Sequence, residues 1–511
     1  MAGLAAREYA IEEYTRTVCP RCFEERQRRS DEPDVFVDGM LVSHSGRIWL
    51  RRFCQTHGET ESLYEEDAEI WRSRAGWGTP TLHIVPDRAT NFGGFPNGYR
   101  EGLPASHGQH TCILLLNVTE RCNYACPTCY AAALSPGHPA PSVATPSIEE
   151  CLHTVDTVIA REGGKLGVVM LSGGEPTVRR DIEELIERLL ERNITRVMLN
   201  SNGRRILRDD RFAAFLEKNR ARIEVYLQFD GFRPGTHKTL RGEDVGEEKT
   251  LTLARLNGMK LFTTLVMTVA KGVNDDEVGA VLKLGLETPR CAGMAIQPVF
   301  GSGRGTGIDG RDRATPTGVL RRLSEQTDGL VSWEDFIPLP CSHRDCCDIT
   351  YLIRTKRDGW RSLPKLLGRD ELKKWIHVIS NTISFDVASE GVKALVHSGA
   401  LQRVFSEQQK SSAINLAADI FRMCDCVPGL SDLLRKPTES LESMAERTFR
   451  VTTKMFMDSH TFHEARIRQC CVHVGTFEDD PRRHSFCWRW LFADAEDLPA
   501  ARKSTLRMAP A

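Results

Sequence analysis

Residues 117–132 read NVTERCNYACPTCYAA and hold Cys122, Cys126 and Cys129 at the spacing CxxxCxxC. A closed tetrahedral metal site needs four ligands, and this stretch supplies three thiols. Three thiolates can hold three irons of a [4Fe-4S] cluster and leave the fourth iron open to a ligand that is not protein. An open iron implies chemistry. The structural alternative is a zinc knuckle closed by His138 or His110.

Working outward, the run just before these cysteines, residues 112–118 (CILLLNV), is short, apolar and strand-like. Similar runs occur at 167–171, 195–200, 223–229, 260–268 and 293–298. Their length and apolar, β-branched content predict buried parallel strands. Between them, in DIEELIERLLERN (181–193), Ile182, Leu185, Ile186 and Leu189 fall at i, i+3, i+4 and i+7, which gives a helix one apolar face. Strands alternating with such helices predict βα units and a parallel sheet or barrel. Two stretches rich in Pro and Gly, 134–146 and 301–318, each follow a suspected site strand and read as loops near an active site. Beyond Trp333 the pattern reads as mainly helical, as in ESLESMAERTFRVTTKMF (439–456).

The bulk numbers narrow the function. The chain has 511 residues, 41% hydrophobic and 27% charged, ordinary globular composition and enough for two to four domains. With 68 basic and 69 acidic residues, no global field points to nucleic acid or an anionic membrane. The N-terminal MAGLAAREYAIEEYTRT lacks a basic start followed by an apolar run, and no stretch approaches 18 uncharged apolar residues. The expectation is a cytoplasmic protein that does not span a membrane, in which the 17 cysteines are no disulfide framework and their close clusters bind metal.

Two further cysteine groups fit that expectation. Cys19 and Cys22 (CPRC) and Cys54 and His57 (CQTH), with Gly39 and Gly46 in a hairpin between them, form paired chelating turns suited to zinc or a rubredoxin-like mononuclear iron. Cys341, Cys346 and Cys347 in PCSHRDCC and Cys470, Cys471 and Cys487 near the end suffice for one auxiliary [4Fe-4S] cluster. Spacing does not choose among them; Cys341, Cys346, Cys471 and Cys487 are the expected set, with Cys347 a further candidate. Cys112, Cys151 and Cys291 read as buried apolar residues.

The CxxxCxxC motif after a first strand, followed by SGGEP (172–176) after a second, resembles the radical S-adenosylmethionine superfamily. The resemblance implies that the open iron chelates S-adenosylmethionine, with Gly173 and Gly174 giving close backbone approach and Glu175 accepting the ammonium group. Asn200, Ser201 and Asn202, Gln228 and Asp230, and Gln297 resemble that superfamily's ribose, methionine and adenine contacts. Thr128 stands where an aromatic often precedes the third cysteine, and Tyr130 follows it instead. The implied reaction is reductive cleavage of S-adenosylmethionine to methionine and a 5'-deoxyadenosyl radical that abstracts hydrogen, with Cys122, Cys126 and Cys129 as the catalytic cluster ligands and no acid/base pair needed.

The order CPxC, CxxHG with LYEEDAEIW, NVTERCNYACPTCYA, YLQFDG, LPCSHRDCC and CCVHVGT with a late FC is also similar to one subfamily, the archaeal tetraether lipid synthases and their bacterial relatives. That resemblance implies C–C bond formation on a lipid acyl or alkyl chain; the alternative is radical methylation of a pterin-like or other small molecule. Residues 91–111 lack the cysteines often present there, which implies one auxiliary cluster fewer. A reading of another class is a non-enzymatic zinc or iron–sulfur scaffold.

The expected fold is α/β: a partial (β/α)6 radical barrel (105–320), a small N-terminal rubredoxin or zinc-ribbon-like domain (1–80) and a mainly helical C-terminal domain with the auxiliary cluster (330–511). Expected partners are a lipid or small-molecule substrate and an electron donor such as ferredoxin or flavodoxin, with no nucleic acid. Peripheral membrane contact would run through an amphipathic segment such as RVTTKMFMDSHTF (450–462).

Overall fold

Strand-forming sequence organises the chain into two sheets. The computed structural model describes residues 9–28, 35–77, 81–137, 145–305, 307–355, 359–370, 372–373 and 447–492. The first sheet is antiparallel, in the order β1 (Ala10–Val18), β2 (Phe36–His44), β3 (Arg47–Cys54), β4 (Gly58–Glu65). The β2–β3 turn is two residues, Ser45 and Gly46, both at positive φ, a geometry that matches the twist of paired strands.

The second sheet holds the expected parallel series: β5 (Ile113–Thr119), β6 (Leu166–Gly173), β7 (Ile194–Ser201), β8 (Ile223–Gln228), β9 (Thr263–Val269) and β10 (Cys291–Pro298), neighbours in chain order. The pleat sends alternate residues to opposite faces. Val169, Leu171, Val197, Leu199, Val225 and Leu227 pack against the helices. There Ile182, Leu185, Ile186 and Leu189 of the helix Ile182–Leu190 are fully buried, at about 1.5–3 kcal/mol for each side chain. On the inner face Val168, Met170, Met198, Tyr226 and Val266 belong to a second core that also contains Cys19, Cys22, Cys54, Cys112, Cys341, Cys347, Cys471 and Cys487. The sheet's two faces thus separate scaffold from cysteine chemistry.

Residues 374–446 and 493–511 of the expected helical C-terminal domain lie outside the described residues, and strands outweigh helices in its described residues. These described residues supply β11 (Ile337–Pro338), β12 (Cys347–Thr355), β13 (Gly359–Ser362), β14 (Thr448–Lys454), β15 (Val472–Gly475) and β16 (Arg483–Ser485) to the same sheet. β14 lies parallel to β10 and β15 parallel to β5, so the six-strand series is flanked on both edges. Residues 448–454, read as helix, are β-branched and almost wholly buried between β10 and β12, a place that strand geometry fills and a one-faced helix cannot. The rest of that expectation, 439–446, lies outside the described residues. Residues 450–462, the suggested membrane-lying segment, are mostly buried in this strand and the turn after it. Among the described residues no helix is long and apolar enough to cross a membrane.

Candidate active site and its metal-binding cysteines

The three-cysteine loop leaves the C-terminal end of β5, where parallel α/β architectures bind ligands. Its start is fixed by the end of β6: Gly174 N–H donates to Thr119 O at 2.7 Å and Glu175 N–H to Arg121 O at 2.9 Å. A Cβ on Gly173, which sits at φ +122°, would stand 2.2 Å from Thr119 O, and one on Gly174 would stand 2.1 Å from Arg121 O. The two glycines therefore admit the cysteine loop itself, a physical role the sequence reading had given to ligand approach. The loop's far end is held by residues 301–305, as expected of that glycine-rich stretch. Arg304 donates from its backbone to Cys129 O and from Nε to Cys126 O, both at 2.9 Å.

Cys126 is buried, and Cys122 and Cys129 are partly exposed. Their sulfurs are not gathered within 4.8 Å of one another as mononuclear ligands would be, and a four-iron cube spreads its thiolates more widely than one ion does. Burial pushes the Cys122 thiol up to about 12, reinforced by Glu175 and the neighbouring thiols and opposed by the Tyr124 N–H. Burial also raises Cys126, and the Arg241 guanidinium opposes it.

Above the apolar inner layer each barrel strand turns one polar side chain to the same face. Asn117, Ser172, Asn200, Gln228, Thr268 and Gln297 follow, two residues on, the inward-facing Leu115, Met170, Met198, Tyr226, Val266 and Ala295. The result is a polar ring at the C-terminal mouth. Asn200 Nδ2 donates to Ser172 Oγ at 3.1 Å. Asn117 Oδ1 and Gln228 Oε1 are buried without a hydrogen-bond partner, which a bound polar ligand would remedy. Asn200, Gln228 and Gln297 were legible in the sequence; Asn117, Ser172 and Thr268 emerge only from the register.

Two of the expected ligand contacts, Glu175 and Asp230, also make internal hydrogen bonds. The Glu175 carboxylate, 2% exposed, accepts from Thr177 N–H (3.1 Å), Thr177 Oγ (2.7 Å), Ser201 Oγ (2.8 Å) and Asn202 N–H (2.7 Å). Three of those bonds fall on Oε1 and one on Oε2, and together they tie β6 to the end of β7. Asp230 accepts two bonds from Arg241, at 2.6 and 2.7 Å, and one from Thr268 N–H at 3.0 Å. Burial works against this carboxylate's charge, yet Arg241 holds it below the usual range. Asn202 Nδ2 donates to Asn123 Oδ1 at 2.6 Å, so it braces the cysteine loop. Lys249, unmarked in the sequence, is fully buried, donates to Asn202 O and lies 5.1 Å from the Tyr124 ring. Burial first, then Arg241, lowers its amine to about 8.

At the N-terminal site the four expected ligands converge, with Cys19, Cys22, Cys54 and His57 all within 4.8 Å of one another. His57 Nδ1 lies 3.3 Å from Cys22 Sγ, and its Nε2 contacts Glu25 Oε1 at 3.0 Å, the outer carboxylate that orients metal-bound histidines. Burial raises the Cys22 thiol, whereas at Cys54 burial is outweighed by the backbone N–H groups of His57 and Thr56 and by the His57 ring, which lower the thiol to about 6.

The C-terminal cysteines regroup. Cys341 and Cys471 stand 3.8 Å apart, and the third member within 4.8 Å is Cys112, which the sequence reading had set aside as apolar filler. Cys112 immediately precedes β5 and Cys471 precedes β15, and beside the parallel β5–β15 pairing the Cys112 N–H donates to Cys471 O at 2.9 Å. No spacing in the sequence reports that pairing. The expected ligands Cys346 and Cys487 fall outside this trio; Cys346 Sγ accepts from Arg466 Nε at 3.4 Å and Cys487 Sγ from Met457 N–H at 3.4 Å. Cys347 is buried at the start of β12. Cys151 and Cys291 are buried in the helix-side core, as expected.

Residues 116–285 match the Radical SAM superfamily and residues 11–66 the HMPTM N-terminal zinc ribbon domain. The chain is 25% identical over 499 residues to 7,8-dihydro-6-hydroxymethylpterin dimethyltransferase of Methanocaldococcus jannaschii, covering 92% of each chain. It is 32% identical over 178 residues to GTP 3',8-cyclase of Aquifex aeolicus, covering 32% of this chain and 50% of that one. Among solved structures, Streptococcus suis SuiB bound to S-adenosylmethionine aligns at a TM-score of 0.36 and 15% identity, over 43% of this chain and 47% of that one, about half its length.

Proposed function

From a chain that carries a radical S-adenosylmethionine domain behind an N-terminal zinc ribbon, we propose an enzyme that methylates a compact polar heterocycle of the pterin type. The observation that carries this reading is the likeness to a pterin dimethyltransferase over 92% of both chains. The polar ring supports it, because its hydrogen-bonding groups suit a heterocycle better than an alkyl chain. Lipid coupling, favoured by motif order in the sequence, has no such support.

Cys122, Cys126 and Cys129 would hold the cluster, and Asn117, Asn200, Gln228 and Gln297 present the polar groups that S-adenosylmethionine and substrate need. Bound together, cluster and S-adenosylmethionine supply a one-electron reductive cleavage that yields a hydrogen-abstracting radical. The chain's own contribution is placement. The Gly173–Gly174 and Arg304 contacts fix the cysteine loop, Arg241 sets its charge beside Cys126, and the apolar layer of Met170, Met198 and Val266 excludes water below the ring. A reaction begun by hydrogen abstraction needs no general base, and none is assigned.

The test is anaerobic incubation with a strong reductant, S-adenosylmethionine as both radical source and methyl donor, leaving S-adenosylhomocysteine, and either a hydroxymethyl dihydropterin or an acyl-lipid extract, read by mass spectrometry. A methylated pterin formed together with 5'-deoxyadenosine is the expected result. A lipid product lacking two hydrogens, with the pterin untouched, would replace this reading with coupling.

A further inference from the structure

Outside the cysteine groups, three side chains from distant parts of the chain meet at the inner boundary of the first sheet. Glu13 lies on β1, His343 lies in the turn between Cys341 and Cys346, and His463 caps the short helix Glu464–Arg468 that leads to Cys470 and Cys471. One ligating atom of each lies within 4.8 Å of the other two. The β1–β2 register shifts between Ile11 and Glu13, a bulge of the kind that re-aims a side chain.

The polar bookkeeping at this point is incomplete without a further group. His463 is 1% exposed and its Nε2 stands 3.3 Å from Glu13 Oε1, yet neither ring nitrogen makes a well-directed hydrogen bond. A buried imidazole rarely goes unpartnered. His343 is 7% exposed; its Nδ1 faces Asp345, 3.2 Å from the backbone N–H and 3.9 Å from Oδ2, which leaves Nε2 for the cluster. With a metal on Nε2 the Nδ1 proton would turn to that carboxylate in place of the amide contact. Arg344 pairs with Glu13 Oε2 at 2.7 Å, leaving Oε1 towards His463. The surrounding charge also favours a cation. Glu13, Glu65, Asp345 and Asp348 face Arg74 and Arg344, while Arg466 is turned to the Cys346 sulfur.

We propose that Glu13, His343 and His463 bind one divalent transition-metal ion, zinc or ferrous iron, distinct from the ribbon site and from the cysteine clusters. Two imidazoles and a carboxylate are borderline-hard ligands that suit these ions, and three protein ligands leave a position for water. The ion fastens β1 to the two segments that deliver Cys341 and Cys471, so it ties the first sheet to the C-terminal cysteines. The inference is independent of the substrate.

The test is metal analysis of the full-length protein purified anaerobically from zinc-supplemented or iron-supplemented cells. Relative to wild type, His463→Gln and, separately, Glu13→Gln lose one equivalent of zinc, or of high-spin ferrous iron in the Mössbauer spectrum, while cluster iron is unchanged. Glu13 is half-buried on an edge, so its variant keeps the fold if His463→Gln does not. In Cys54→Ser, which removes a ribbon ligand, X-ray absorption of the remaining zinc shows nitrogen and oxygen neighbours without sulfur. Equal zinc and equal ferrous iron in wild type and both variants would overturn the proposal and leave the trio a buried ion pair.

Discussion

The two ends of the cysteine chemistry are built to opposite plans. At the N-terminal site four ligands converge within 4.8 Å, Cys19 and Cys22 from the start of the helix Pro20–Arg28 and Cys54 and His57 from the β3–β4 turn, and an exposed carboxylate, Glu25, braces the histidine from outside. At the mouth of the barrel three thiols stand apart on one loop, and the bracing comes from beneath: glycines that admit backbone, Arg304 on the loop's carbonyls, and the buried Asp230–Arg241 pair beside Cys126. The first arrangement completes a metal's coordination and so suits structure; the second leaves coordination unfinished and holds the gap rigidly, which suits chemistry.

If the buried pair braces the cysteine loop, Arg241→Ala should have the largest effect. It strands Asp230 without a partner and should cost about 3–5 kcal/mol, read as a lowered denaturant midpoint. A change confined to iron content with unaltered stability would show that Arg241 acts on the cluster alone. Gly174→Ala sharpens the contrast, since its Cβ meets Arg121 O at 2.1 Å. The expected outcome is a loss of about 1–3 kcal/mol together with lower cluster iron, while ribbon zinc is retained.

At the other pole, Glu25→Gln should weaken zinc about 10-fold in chelator competition, the lower end for an outer carboxylate because Glu25 is exposed, and leave cluster iron alone. The smallest effect is in pH. Lys249 is held near 8 in the fold against 10.5 in the unfolded chain. Between those values the unfolded chain binds the extra proton, so stability rises with pH across this window. Lys249→Met should remove that rise when pH–stability curves of the two proteins are subtracted; an identical slope would contradict the burial of a charged amine.

The same contrast explains what the sequence disclosed. Ligands close in sequence, such as CPRC with CQTH and the CxxxCxxC loop, were readable because chelation there is set by short turns. The barrel strands were readable because burial on both faces leaves unbroken apolar runs. Cys112 was not, because its partners arrive through the β5–β15 pairing, a contact across some 360 residues. Glu175 and Asp230 were read as strand-end carboxylates, but the bonds by which Glu175 ties β6 to β7 and Asp230 holds Arg241 show only in three dimensions. Residues 448–454 misled because their helix-like flank hid a β-branched run that the sheet needed.

The most direct test of the division between a structural and a reactive metal site is the rate of 5'-deoxyadenosine formation in Cys126→Ala beside Cys54→Ser, each anaerobically reconstituted and reduced with S-adenosylmethionine present. Formation should vanish in Cys126→Ala and persist in Cys54→Ser, which loses only the ribbon metal. Persistence in Cys126→Ala, with its iron intact, would mean that the three-cysteine loop is not the radical centre.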